Sequence, residues 1–185
     1  MIDATYLAEL LEKAHADDPW HGPSVADTLN GLTAEQAAAH PIPGAHSIWE
    51  LVLHLAAWQG EATRRLEGNA PALPEEGDWP AVGETSETAW QSALERLDAT
   101  HGHLLETLAR LTDADLDRAG GSLSDRALGT GVSYRTMVVG VLQHAAYHSG
   151  QIVMLRKALG KGPKGQQGHK GLQGQQINRF FPLSP

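Results

Sequence analysis

The stretch Ser47-Ile-Trp-Glu50-Leu-Val-Leu-His54-Leu-Ala-Ala-Trp58 sets the fold class. Just before it, Pro41-Ile-Pro-Gly44 forbids a helix, and Ser47 with Glu50 then forms a capping box, each side chain satisfying the other's exposed backbone amide. Behind the cap, Ile48, Leu51, Val52, Leu55 and Trp58 recur at helical spacing and build one apolar stripe. The pattern predicts a helix running to about Glu67, where Gly68-Asn69 stops it. His54 lies on the inward stripe, where an unpaired polar ring is costly, so it needs a partner.

The chain on either side reads the same way. A first helix is predicted from Asp3 to about Asp17, with Tyr6, Leu7, Leu10, Leu11 and Ala14 as its stripe, before Pro19 and Gly22-Pro23 break the chain. Short pieces follow at Val25–Leu29 and from Thr33, where Thr33-Ala-Glu-Gln36 is a further capping box. Residues 69–83 hold three prolines and two glycines and read as a connector. A third long helix is predicted from about Thr85 to Leu111, with Trp90, Ala93, Leu94, Leu97, His101, Leu104, Leu105 and Leu108 facing inward. A weak helical turn at Thr112–Leu116 and a Gly/Ser-rich loop lead to Ser133, the N-cap of a fourth helix from Tyr134 to about Leu159.

No convincing alternating strand appears, and four long helices suit an all-α four-helix bundle. Topology stays open at this point. A helix of ~22 residues is ~33 Å long, and 15 extended residues can reach ~50 Å. The connector 69–83 could return the chain to the far end or make a loose hairpin. Residues 1–160 are read as the bundle domain and 161–185 as a Gly/Gln/Lys-rich tail. Glycines at 162, 165, 168, 171 and 174 resemble collagen triplets, but Pro163 alone supplies the stiffening imino acid, so a flexible linker is expected. Both phenylalanines of the chain, Phe180 and Phe181, sit at its end and could dock on this body or on a neighbouring subunit.

Composition excludes several functions. Cysteine is absent, which rules out disulfides, thiolate zinc fingers and iron–sulfur clusters, and means that any thiol chemistry needs a thiol from outside. The net charge is −8, and the last 25 residues carry Lys161, Lys164, Lys170 and Arg179 without an acid, so the body is more acidic than the total. Such a surface argues against nucleic acid as a partner. No signal peptide and no run of membrane-spanning length is seen, so a cytoplasmic protein with no membrane partner is expected.

His144-Ala-Ala-Tyr-His148 in the fourth helix supplies the second half of a possible site. Residues four apart stack on one helical face ~6 Å apart along the axis, so both imidazoles can point at one ion. They share their face with Met137, Val141, Gln151 and Leu155, and His54 could complete the set from a neighbouring helix. Three neutral nitrogens with open positions would make a reactive metal centre rather than a closed structural one. With ten histidines in the chain, one such pair arises easily by chance, and three separate hydrogen-bonded core histidines are the competing reading. The zinc-protease motif is excluded, because it needs Glu after the first His and Ala145 stands there.

The residues around these three take lesser roles. His101 is read as a satisfied core histidine rather than a fourth ligand, His103 as solvated, and His15, His21, His40 and His46 as helix-end or loop residues, with His46 near enough to approach a site mouth. Glu50 is the nearest helix-borne carboxylate that could orient His54, although its capping-box role is the stronger reading. Gln151 could bind a water or substrate, Tyr147 is a second possible helper, and Trp58 could wall the pocket.

Taken together, His54 with Trp58, and Val141-Leu-Gln-His144-Ala-Ala-Tyr-His148-Ser-Gly-Gln151, resemble the DinB/YfiT-like superfamily over about residues 1–160. The resemblance implies a four-helix bundle with a long crossover between helices two and three. It further implies that His54, His144 and His148 hold a divalent ion, commonly zinc or nickel, and it suggests a homodimer. Characterised relatives include thiol-dependent S-transferases using bacillithiol and mycothiol-dependent isomerases. The expected function is therefore a metal-dependent enzyme that activates a low-molecular-weight thiol for S-transfer to an electrophilic small molecule. A metal-hydroxide hydrolase and a non-enzymatic, metal-stabilised stress or binding protein are the alternatives.

Overall fold

A computed structural model describes residues 3–120 and 128–160. Its elements, in chain order, are α1 (Ala4–Ala16), α2 (Val25–Leu29), α3 (Ala34–Ala38), α4 (Ile48–Leu66), α5 (Glu87–Leu108), α6 (Asp113–Leu116) and α7 (Tyr134–Ala158). Among the described residues, the one extended pairing is an isolated antiparallel bridge between Ala119 and Ser133. The four long helices α1, α4, α5 and α7 make the all-α bundle. The segment at 121–127 and the tail 161–185, with its expected linker, lie outside the described residues.

Each helix starts where its cap is written. Ser47 accepts from the Glu50 amide while the Glu50 carboxylate takes the Ser47 amide at 2.6 Å. Thr33 with Gln36 and Thr112 with Asp115 form the same box, and so do Ser24 and Asp27 at the head of α2. The third long helix is shorter than its hydrophobic pattern. Ser86 caps it, Ala109 ends it, and Thr112 already serves α6, so the last apolar residues belong to a turn. Leu94 and Leu105 are half-buried, while Thr107, unnoticed in the stripe, is buried. Tyr6 is 49% exposed and does not join the core of α1, whose inward face is Leu7, Leu11 and Ala14.

Helices α4 and α5 run parallel. At their starts Trp49 meets Trp90 with ring centroids 5.1 Å apart, and toward their ends Glu67 lies 3.4 Å from His103. The connector between them is therefore a crossover that carries the chain back to the opposite end of the bundle. Buried Glu61 anchors it: the carboxylate binds Arg64 and Arg65 on its own helix and accepts from the Ala72 amide at 2.8 Å. Arg65 donates in turn to the Ala72 carbonyl, and Arg64 to that of Ala70. Burial pushes the Glu61 carboxyl up, but the hydrogen bonds from Arg64, Ala72 and Arg65 outweigh it and hold it below the ordinary carboxylate value.

Around the bundle, α4 packs on α5 and α7, and α1 closes the ring against the same two helices. The core lies in two parts. One gathers Ile48, Leu51, Val52 and Leu55 of α4 with Trp90, Leu97, Ile152 and Leu155, covered by α2 and α3. The other joins Leu7 and Leu11 to Leu66, Leu104, Leu108 and Val138 at the opposite end. Buried Arg156 of α7 donates to the carbonyls of Thr28 and Asn30 and ties α2 down. Because α4 and α7 are antiparallel neighbours, their mid-helix residues meet at one level. That level is where His54, His144 and His148 sit.

Candidate metal centre

The imidazoles of His54, His144 and His148 converge at their Nε2 atoms. The Nε2 of His144 is 2.9 Å from that of His54 and 2.8 Å from that of His148. One ligand atom from each ring lies within 4.8 Å of the others, and no other such group of His, Cys, Asp or Glu occurs among the described residues. His54 and His148 are buried and His144 is half-buried.

Hydrogen bonding on the far side of the rings fixes their chemistry. The Nδ1–H of His54 donates to the backbone carbonyl of Asp78 at 2.6 Å, and the Nδ1–H of His148 donates to Oε1 of Gln151 at 2.6 Å. Both partners only accept, so in the neutral rings the two Nε2 atoms carry bare lone pairs. His144 can give its single Nε2 hydrogen to one of them, which leaves the lone pair of the other against that same nitrogen at less than 3 Å with no hydrogen to accept. Protonation would relieve this, yet the surroundings oppose it. Burial lowers the pKa of all three rings, and at His144 burial with the neighbouring His148 and His54 pushes it down to about 4. A divalent cation at the meeting point would accept all three lone pairs at once, and such outer hydrogen bonds are the usual way of orienting ligating histidines. A set of three neutral imidazoles suits zinc, nickel, copper and iron alike.

The crossover supplies what holds His54. Asp78 offers its carbonyl to the ring, and its carboxylate, 3.4 Å from His54 Nδ1, accepts from Trp58 Nε1 at 2.7 Å. Trp79 then inserts between two histidines, stacked on His54 at 3.9 Å and on His46 at 3.5 Å. Two cavities flank the centre. One, about 590 Å³, is lined by His148, His46, Trp79, Tyr147 and Gln151. The other, about 510 Å³, is lined by His54, His144, Trp58, Asp78, Met137 and Gly140.

The other candidate residues fall into place around this centre. Glu50 takes the capping role that is its stronger reading: its carboxylate caps Ser47 and binds His40 at 3.0 Å, with His46 at 3.6 Å. Gln151 accepts from His148 through Oε1 and also lines the cavity on that side of the centre. Tyr147 is 65% exposed, its ring centroid 5.0 Å from that of His148 at the cavity rim. Trp58 walls the site, edge-on to His54. His46 does reach the mouth. His101 is a core residue, its Nε2–H directed at Glu12 at 3.4 Å, and it stacks at 3.9 Å on His15, which is buried rather than a loose helix-end residue. His103 is largely solvated, as expected. Asp78 and Trp79 were missed. An acid and a Trp-Pro pair inside a Pro/Gly connector were the available signal, and connectors with that composition are ordinarily plain surface.

No helix among the described residues is long and apolar enough to cross a membrane. None of the curated proteins matches the sequence. A conserved protein from Enterococcus faecalis, known from its crystal structure, shares the fold with a TM-score of 0.62 and 21% identity, over 85% of this chain and 98% of that one. The family model of the DinB superfamily, a metal-binding family, matches residues 21–152, a span that includes all three converging histidines and the crossover. The chain belongs to the DinB superfamily.

Proposed function

We propose that this protein is a divalent-metal-dependent enzyme in which His54, His144 and His148 hold the ion, zinc or nickel, and an external low-molecular-weight thiol of the bacillithiol kind is transferred through sulfur to an electrophile. The observation that carries the metal is the convergence of three Nε2 atoms whose rings are kept neutral by burial, two of them with the opposite nitrogen tied to an acceptor. What supports the thiol is the absence of cysteine together with the family, since the chain has no nucleophilic sulfur of its own. The ion, when bound, would lower the pKa of a thiol sulfur and favour the thiolate, which is the nucleophile.

The chain's own residues do the rest. Asp78 and Gln151 fix the ring orientations of His54 and His148. Trp79, stacked on His54, excludes water from one side of the centre, and Trp58 covers another. Cavities on both sides leave room for two small molecules to approach. We place the chemistry in the cytoplasm, where thiols stay reduced, and in a homodimer, which light scattering on the full chain tests.

The test begins with elemental analysis of protein purified without a His tag, alongside His54→Ala, His144→Ala and His148→Ala. Metal-loaded protein is then offered a low-molecular-weight thiol and an electrophilic acceptor. A metal-dependent rate that needs the thiol and collapses in His148→Ala is the expected result. An undiminished rate in His148→Ala sinks the proposal, and turnover of an ester or amide without thiol replaces it with hydrolysis.

A further inference from the structure

The cavity of about 510 Å³ beside His54 and His144 has walls that say what it would hold. Among the described residues its lining includes Trp58 and Ala62 of α4 facing Met137, Gly140 and Val141 of α7, with Val132 and Thr136 at the edge. Two charged residues among those described also touch it, and both are engaged elsewhere. Arg65 donates Nε to Glu61 at 2.7 Å, Nη1 to the Leu128 carbonyl at 2.6 Å and Nη2 to the Ala72 carbonyl at 2.9 Å. The Asp78 carboxylate accepts from Trp58 and sits against His54. A charged ligand would lose hydration here and find its natural partners already taken, a net cost. An uncharged apolar ligand loses nothing comparable, and cavities of this size commonly bind small organic molecules.

Gly140 strengthens the reading. It stands inside α7, where glycine weakens a helix relative to alanine and no positive φ requires it. A Cβ built there meets nothing within 4 Å. No close helix approach explains the missing side chain, and the residue opens onto the cavity. Local rules of helix composition are most often broken at functional positions.

We propose that this cavity is a subsite for an uncharged, largely apolar organic molecule, whose depth is set by Ala62 and Gly140 on opposite walls. Resting on the thiol-transfer reading, the subsite would receive the electrophile, and the cavity lined by His148, His46 and Gln151 on the other side of the centre would be left to the more polar thiol. Side chains that intrude from either wall close the first cavity without touching the three histidines.

The experiment titrates full-length protein with N-phenyl-1-naphthylamine, a neutral probe that fluoresces in apolar surroundings, and with its anionic relative 8-anilinonaphthalene-1-sulfonate. Gly140→Phe and Ala62→Leu are each expected to weaken neutral-probe binding at least tenfold, with helical circular dichroism unchanged. Gly150→Leu, which fills the opposite cavity, is expected to leave it within twofold. The sulfonate should bind wild type at least tenfold more weakly than the neutral probe. The two wall variants lie on different helices, so misfolding of one leaves the other to decide. Wild-type affinity in a folded wall variant, loss of binding in Gly150→Leu, or preference for the sulfonate would each overturn the assignment. Probe binding needs no turnover and is expected to survive His148→Ala, so its failure is separate from a failure of the metal-and-thiol reading.

Discussion

Acid should destabilise this bundle through one identifiable residue, His101. The ring is buried in α5, its Nδ1 has no hydrogen-bond partner, and three groups face it: Glu12 and His15 from α1 and Asp98 from its own helix. Burial first, then repulsion by His15, pushes its pKa from 6.5 down to about 4, with Asp98 opposing. In the unfolded chain the ring regains its ordinary value. Between pH 6.5 and about 4 the unfolded state therefore binds the extra proton, and stability must fall as pH falls. Nothing is lost above that window, and below it the loss is complete. Each tenfold loss of proton affinity is worth ~1.4 kcal/mol, so the total is about 3 kcal/mol, a large share of the stability of an ordinary domain. Urea unfolding followed by circular dichroism from pH 8 to pH 4, with chelator present, measures it. His101→Leu keeps the packing, removes the titrating ring and also the orphaned nitrogen. The difference between wild type and variant cancels the acids and histidines common to both. The variant should gain on wild type by up to ~3 kcal/mol on acidification. Parallel acid limbs for the two proteins would refute the reasoning.

Three further outcomes are expected. Zinc or nickel at ~100-fold above its Kd should stabilise wild type by about 3 kcal/mol, a rise in Tm of roughly 5–10 °C by scanning fluorimetry, and His148→Ala should lose most of it. Gln151→Ala, which removes the acceptor for His148 Nδ1, should weaken metal binding ~10–100-fold in competition with a chelating dye; Asp78→Ala should weaken it less, because the carbonyl that holds His54 belongs to the backbone and remains. In the core, Leu97→Ala, at 1% exposure, should cost about 2–5 kcal/mol in chemical denaturation, whereas Tyr6→Ala at 49% exposure should stay within ~0.5 kcal/mol.

What could be read from the chain follows from how far each determinant reaches. A capping box spans four residues, so Ser47 with Glu50 and Thr33 with Gln36 mark their helix starts without help from the fold. His144 and His148 share a face because they are four apart on one helix, and His54 points inward because its own helix is striped. The helix pairing was different. Connector length allowed both topologies; the resemblance alone implied the crossover, and contacts such as Trp49 with Trp90, 41 residues apart in the chain, bear it out. His15 looked like a helix-end residue and is buried because the last turn of α1 packs on Asp98 and His101 of α5.

The same distinction runs through the site itself. Its converging nitrogens come from the middles of two regular helices, where local periodicity decides orientation. The groups that hold and cover His54, the carbonyl of Asp78 and the ring of Trp79, come from irregular chain with no period to read. The crossover that carries them is anchored to α4 at Glu61, whose carboxylate binds Ala72 and both arginines. Glu61 lies seven residues beyond His54 on the same helix and touches neither the ring nor its partners; it anchors the crossover at Ala72, while Arg96 on Glu76 and Trp58 on Asp78 hold it nearer the carbonyl that meets Nδ1 at 2.6 Å. A buried carboxylate on the core side of an amphipathic helix is costly unless several donors meet it. Here those donors are the crossover and the two arginines that bind it, so the structural anchor and the orientation of one converging histidine are parts of one network.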